Sequence, residues 1–168
     1  MVAETLITPR LILRQPKAAD LAAFTAYCGS ERAIHVGGPF DQVAAFQRFA
    51  AMIGHWALRG FGRYVIERGG VAIGHVGPLA LTDDTPDLTW TLWSNTAEGQ
   101  GYATEAAQAC ARHLVVDCAW AGLQISIQKD NSASHAVAHR LGAKPSERAA
   151  PDWYPGAVIY DIDAGCLT

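Results

Sequence analysis

The run Glu98-Gly99-Gln100-Gly101-Tyr102-Ala103-Thr104-Glu105-Ala106 places two glycines at the mouth of a segment with helical periodicity. Glycine lets the chain turn tightly and lets a ligand approach the backbone, and the first turn of a helix leaves about four N–H donors unpaired at the positive end of its dipole. The chemistry on offer is capture of a phosphate or diphosphate by backbone amides; the alternative is a loop that merely precedes a helix. Upstream, Leu88-Thr89-Trp90-Thr91-Leu92-Trp93 is β-prone, and downstream Ala103, Ala106, Cys110 and Leu114 recur at helical spacing, so the local order is strand, glycine turn, helix. Two nucleotide-binding motifs share that order. A P-loop requires Gly-Lys-Ser/Thr, whereas Gly101 is followed by Tyr102-Ala103. A dinucleotide fingerprint requires a third glycine where Thr104 stands, near the start of an alternating βαβ chain, and here the alternation begins only past residue 85.

Other chemistries find little support. His135 and His139 stand four apart on one helical segment, without the pattern of a third metal ligand, and read as a surface pair, so no metal site is expected. Neither a Ser-His-Asp order nor a Gly-x-Ser-x-Gly elbow occurs, which argues against a hydrolase. Cys28, Cys110, Cys118 and Cys166 lack CxxC spacing and read as small core residues.

Three segments together resemble the GNAT N-acetyltransferase superfamily, and within it the branch that includes the ribosomal-protein N-terminal acetyltransferases. They are the cradle Gly99 to Ala106, the opening Thr8-Pro9-Arg10-Leu11-Ile12-Leu13-Arg14, and Asn131-Ser132-Ala133-Ser134 followed by Leu141-Gly142. They occur in family order across roughly residues 5–163. The resemblance implies an α/β (α+β) fold that binds acetyl-CoA, with the diphosphate on the amides of Gly99, Gln100, Gly101, Tyr102, Ala103 and Thr104. It also implies a backbone donor for the acetyl carbonyl near Leu92 and Trp93, although Trp93 reads equally well as plain core.

Asp87 falls on the family's acidic position before that strand and is the candidate proton acceptor; a solvated carboxylate in the turn Thr82-Asp83-Asp84-Thr85-Pro86-Asp87 is the competing reading. Asn131 and Ser134 match an Asn-x-x-Ser pattern beside the pantetheine arm, with Ser134 the candidate to bond or protonate the thiolate; a helix cap explains them too. Departures from the family pattern are Glu98 at the head of the cradle, Asp87 for Glu, Thr89 for Gly, and Ala143 after Leu-Gly. The expected function is acetyl transfer from acetyl-CoA to a primary amine, on a peptide N-terminus or a small molecule, directly in a ternary complex. A non-catalytic acyl-CoA sensor is the alternative, and a structural subunit with a vacant pocket a third.

The elements that must position these residues follow from length and period. A chain of 168 residues with half its residues apolar and 17% charged suits one globular domain, 1–168. A net charge of −3 gives no electrostatic footprint for nucleic acid or an anionic membrane, and a monomer or a homodimer fits equally. Met1-Val2-Ala3-Glu4 has no signal-peptide character and no apolar run reaches the ~20 residues of a span, so a cytoplasmic location is expected. The periodicities predict an opening strand over 6–14 and helices over 20–28 and 41–58, the second with Val43, Phe46, Phe49, Ile53 and Trp56 facing the core. Residues 29–39 read as a loop. A hairpin about Arg68-Gly69-Gly70 and the strand 88–93 make an antiparallel meander before the cradle helix. A strand at 123–127, a helix at 132–141 and strands near 143–148 and 157–162 complete a mixed, mostly antiparallel sheet of six to seven strands flanked by about four helices.

Overall fold

The computed structural model describes residues 1–82 and 85–167; Asp83 and Asp84, within the acidic turn noted above, and Thr168 lie outside them. One eight-stranded sheet runs in the order β1-β2-β3-β4-β5-β6-β8-β7. The strands are β1 (Thr5–Ile7), β2 (Ile12–Arg14), β3 (Tyr64–Arg68), β4 (Val71–Leu79), β5 (Asp87–Leu92), β6 (Leu123–Ile127), β7 (Lys144–Pro145) and β8 (Val158–Ile162). All neighbours are antiparallel except β5 and β6. That is more strands than expected, because 6–14 is a hairpin rather than one strand. Pro9 brings no N–H to a ladder, and Thr8 closes the turn, its N–H donating to Leu11 O while its Oγ1 accepts from Leu11 N.

Four α-helices are described: α1 (Leu21–Cys28), α2 (Gln42–Arg59), α3 (Tyr102–Arg112) and α4 (Ser132–Arg140). The predicted loop at 29–39 holds a 3-10 segment, Glu31–Val36. The meander β3-β4-β5 forms as expected, with Gly69 and Gly70 at φ +58° and +81° in its first turn, a conformation that L side chains resist. The strand expected near 143–148 shortens to two residues.

Alternation sends the two sides of the meander into different packing groups. Tyr64, Ile66, Val76 and Leu88 join Ala106, Cys110 and Leu114 of the cradle-helix side, while Val65 and Trp93 join Phe24, Tyr27, Phe49 and Met52 of α1 and α2. The α2 stripe departs from expectation. Phe49 and Trp56 are buried, but Val43, Phe46 and Ile53 are exposed, and Ala45 and Met52 take the core positions. Two apolar stripes interleave on this helix, and spacing alone does not choose between them. The cysteines divide likewise: Cys28 and Cys110 are buried, whereas Cys118 and Cys166 are half-exposed, Cys118 lying beyond a π turn (His113–Asp117) that ends α3. No helix among the described residues is long and apolar enough to cross a membrane.

Candidate active site

The glycine run folds into a cradle of bare amides. Gly99 and Gly101 have φ of +71° and +78°, and a Cβ at Gly99 would meet nothing within 4 Å. Gly101 caps α3 without a side-chain bond, and no amide from Gly99 to Thr104 has a hydrogen-bond partner among the described residues. Such donors, with the α3 dipole behind them, are suited to an anion. Arg10 reaches it from the β1–β2 turn: its Nη1 donates to Gln100 O (2.9 Å), its Nη2 would lie 3.5 Å from a Cβ on Gly101, and its guanidinium sits over the Tyr102 ring. Glu105 fixes that turn by accepting from Thr8 Oγ1 and from Arg10 N and Nε. Although burial opposes ionisation, these bonds hold its carboxyl below the usual range.

Beside the cradle the sheet opens. Between β5 and β6 the paired register is Asp87 with Gln124, reinforced by Gln124 N donating to Pro86 O. In the antiparallel β4–β5 ladder, Trp93 N donates to Ile73 O (2.7 Å), so alternate amides point away from β4 and the Leu92 N–H faces the opening towards β6. Trp93 N is therefore already bonded and has no N–H left to offer a ligand, whereas the Leu92 N–H points into the opening. The Trp93 indole donates to His75 Nδ1 (2.9 Å). The Arg32 guanidinium holds the strand end by donating to Leu92 O and Trp93 O, and it pairs with Glu98. The carboxylate at the head of the cradle is thus matched by a cation.

Asp87 is 2% exposed, which sets aside the solvated-turn reading. Its Oδ2 accepts from Gln124 Nε2 (2.6 Å), while its Oδ1 and the nearby Ser126 Oγ have no hydrogen bond. Burial pushes the carboxyl up, against the Gln124 bond and the polarity of Ser126. On α4, Asn131 Oδ1 accepts from Ser134 N (3.2 Å), so Asn131 is a helix cap, and the Ser134 hydroxyl has no bonded partner among the described residues. His135 is committed to structure, its ring nitrogens at 2.8 Å from Tyr160 Oη and 3.1 Å from Gln128 O.

A single cavity of about 1760 Å³ is lined by the cradle, Leu92, Asp87 and Ser134 and runs on under α1 and α2 to Arg63 and His75. Ordinary ligand pockets hold about 300–1,000 Å³, so two molecules fit side by side. A sequence model of the family described as acetyltransferase (GNAT) domain matches residues 10–144. The chain belongs to the GNAT acetyltransferase family. Among solved structures, an acetyltransferase from Agrobacterium tumefaciens is 30% identical over 96% of this chain and 95% of its own, with a TM-score of 0.87. The RimL ribosomal L7/L12 alpha-N-protein acetyltransferase in complex with coenzyme A is 18% identical over 94% and 96%, TM-score 0.74. The microcin C7 self-immunity acetyltransferase MccE, in complex with acetyl-CoA and AMP, is 14% identical over 93% of each chain, TM-score 0.74. No curated protein matches.

The cofactor of this GNAT domain is acetyl-CoA. The unpaired amides from Gly99 to Thr104, with Arg10 alongside, fit its diphosphate. Of the residues singled out from the sequence, Asp87, Leu92, Gly99 to Thr104, Asn131 and Ser134 line the same cavity; Trp93 does not. The cation at Arg10, the partners Gln124 and Ser126, and the Arg32–Glu98 pair were not singled out. Gln124 and Ser126 alternate with buried Leu123, Ile125 and Ile127, a period-2 signal for polar groups on one strand face. Nothing in the sequence marked Arg32 or Arg63.

Proposed function

We propose that the protein is an N-acetyltransferase acting on a primary amine by direct transfer in a ternary complex. The observation that carries this is the buried Asp87 carboxylate with one oxygen unbonded, in the same cavity as the Leu92 N–H and the cradle. Acetyl-CoA supplies the acetyl group already activated as a thioester. Leu92 offers a preorganised donor for a carbonyl oxygen, in the gap where β5 leaves β6. Asp87 Oδ1 takes the ammonium proton of the acceptor; its raised proton affinity makes it a better base than an exposed carboxylate. The Ser134 hydroxyl, half-buried at the start of α4 and lining the same cavity, bonds or protonates the departing thiolate in this reading. Two departures from the family pattern are compatible with this reading, because Glu98 is paired with Arg32 and the Thr89 hydroxyl donates to Gly77 O.

The test is thiol release from acetyl-CoA against pooled amines and N-terminal peptides, with mass identification of the product. Acetylated amine is expected. Acetyl-CoA binding without thiol release from any amine would overturn the enzymatic reading in favour of a sensor.

A further inference from the structure

The cavity is lined by cations that no described residue neutralises. Arg63 immediately precedes β3 and Arg48 lies on α2, and both line the cavity with Tyr27, Cys28 and His75. Arg10 and Arg32, which line it too, are paired with Glu105 and Glu98. Trp56 Nε1 donates to the Arg63 carbonyl (3.1 Å), but the guanidiniums of Arg48 and Arg63 have no hydrogen bond or ion pair to any described residue; that of Arg48 stacks 3.8 Å from the Phe40 ring centroid. Burial, and then the charge of Arg48, push the Arg63 guanidinium down to about 10, so it stays charged at neutral pH.

The neighbours offer no counter-charge. His75 accepts the Trp93 indole at Nδ1, which places its own proton on Nε2, and burial and Arg63 keep the ring neutral by lowering its pKa well below the usual value. The Cys28 thiol is pushed up by burial. The half-buried Arg63 guanidinium, with the exposed Arg48 charge beside it, costs stability unless an anion joins them. The cofactor diphosphate has its own cradle at Gly99 to Thr104. Arg63 belongs to the opposite sheet face, with Val65, His75 and Trp93, which also carries Asp87. A Cβ on Gly77 would lie 2.9 Å from Arg63 Cα, and Gly77 pairs with Thr89, two residues from Asp87. Strand spacing sets Arg63 about 10 Å from Thr89 along the backbone, a gap that the long arginine side chain narrows.

We propose that the amine acceptor carries a carboxylate and is of amino-acid to short-peptide size, with Arg63 and Arg48 receiving the carboxylate while Asp87 faces the amine. This rests on the N-acetyltransferase reading. The planar fork of arginine suits a carboxylate in two-point contact, and His75 Nε2–H adds a neutral donor.

The experiment pairs amino acids and dipeptides with their C-terminal amides, in two readouts on the whole protein. Transfer from acetyl-CoA is expected to favour the free carboxylates in kcat/KM by roughly tenfold or more, as for charge-assisted bonds. In Arg63→Gln that ratio should collapse towards one, and Arg63→Lys should recover part of it; unchanged circular dichroism and a cooperative melt verify that each variant folds. The second readout needs no turnover: binding of N-acetylated amino acids against their amides, followed on the Trp93 indole N–H resonance next to His75. Carboxylate-selective binding that Arg63→Gln abolishes upholds the inference even where no transfer occurs, and then only the enzymatic reading falls. Transfer to amides and carboxylates alike overturns the inference and leaves the enzyme standing. An absence of selective binding overturns it as well.

Discussion

Arg10 donates to Glu105 twice, from its backbone N–H (3.0 Å) and from Nε (2.6 Å), across a separation of 95 residues. The contact joins the β1–β2 turn to the first turn of α3, and Thr8 Oγ1 strengthens it at 2.6 Å. Two of the sequence segments that marked the family therefore touch, and the reason is electrostatic. Glu105 alone would place a negative charge near the diphosphate; Arg10 cancels it and still directs Nη1 and Nη2 towards Gln100 and Gly101.

Arg10→Gln is accordingly expected to weaken acetyl-CoA binding by about tenfold, and to reduce the salt dependence of that binding, because a cation near the phosphates is lost. The loss of fold stability should be within ~1 kcal/mol, since the pair is partly exposed. Titration calorimetry at two salt concentrations, beside thermal melts, measures both. Glu105 adds a pH effect. Its folded pKa is depressed, so its stabilising contribution is complete above its unfolded value of about 4.3 and fades as the pH falls through the folded value. Melts of Glu105→Gln should therefore approach those of wild type at the acid end of a pH series.

Gly101→Val should reduce acetyl-CoA affinity by more than tenfold while the fold survives. A φ of +78° costs an L residue about 1–2 kcal/mol, and the new side chain stands between the amides and Arg10. Wild-type affinity in a folded Gly101→Val protein would place the phosphates elsewhere.

The local pattern was legible wherever one interaction dominates. The cradle and the Gly69-Gly70 hairpin each follow from backbone conformation alone. Where two solutions satisfy the same pattern, the tertiary contacts decide. The α2 helix has two apolar stripes, and the sheet selects the one with Ala45 and Met52; the segment 6–14 alternates like a strand, yet Thr8 and Pro9 fold it back. Trp93 shows the same limit for the site, since strand alternation fixes which amides face β6 only once the β4–β5 register is known. Arg63 carries no local pattern at all. Its meaning comes from the cavity it lines and from the lack of any carboxylate paired with it among the described residues.

Asn131 and Ser134 are separable by measurement. Asn131→Ala removes the acceptor for Ser134 N and should cost about 1 kcal/mol of stability, read from denaturant midpoints. Ser134→Ala leaves that cap bond intact, so stability should hold, whereas the turnover number should fall by roughly tenfold with little change in acetyl-CoA affinity, because the lost contact strengthens towards the transition state. Unaltered single-turnover rates in Ser134→Ala would remove the serine from the chemistry.

Asp87→Asn should make the protein slower and more stable at once. The carboxyl is buried with Oδ1 unbonded, and its pKa is raised in the folded state. The folded protein therefore binds this proton more tightly than the unfolded chain, and stability falls as the pH rises from the unfolded value of about 3.9 towards the raised folded value. Wild type bears that cost wherever the buried carboxyl is ionised. Asparagine is free of it: its oxygen still accepts from Gln124, and its amide can donate to the unbonded Ser126 Oγ. The melting temperature of Asp87→Asn should thus equal or exceed that of wild type at pH 7, and the difference should shrink as the pH is lowered. Catalysis moves the other way. Without the base, transfer should drop by about 10²-fold or more at neutral pH and recover in part at high pH, where solution deprotonates the amine. A structural role for Asp87 predicts the reverse pairing, a destabilised protein whose folded fraction transfers acetyl groups at the wild-type rate, and melts with single-turnover kinetics on the same samples separate the two.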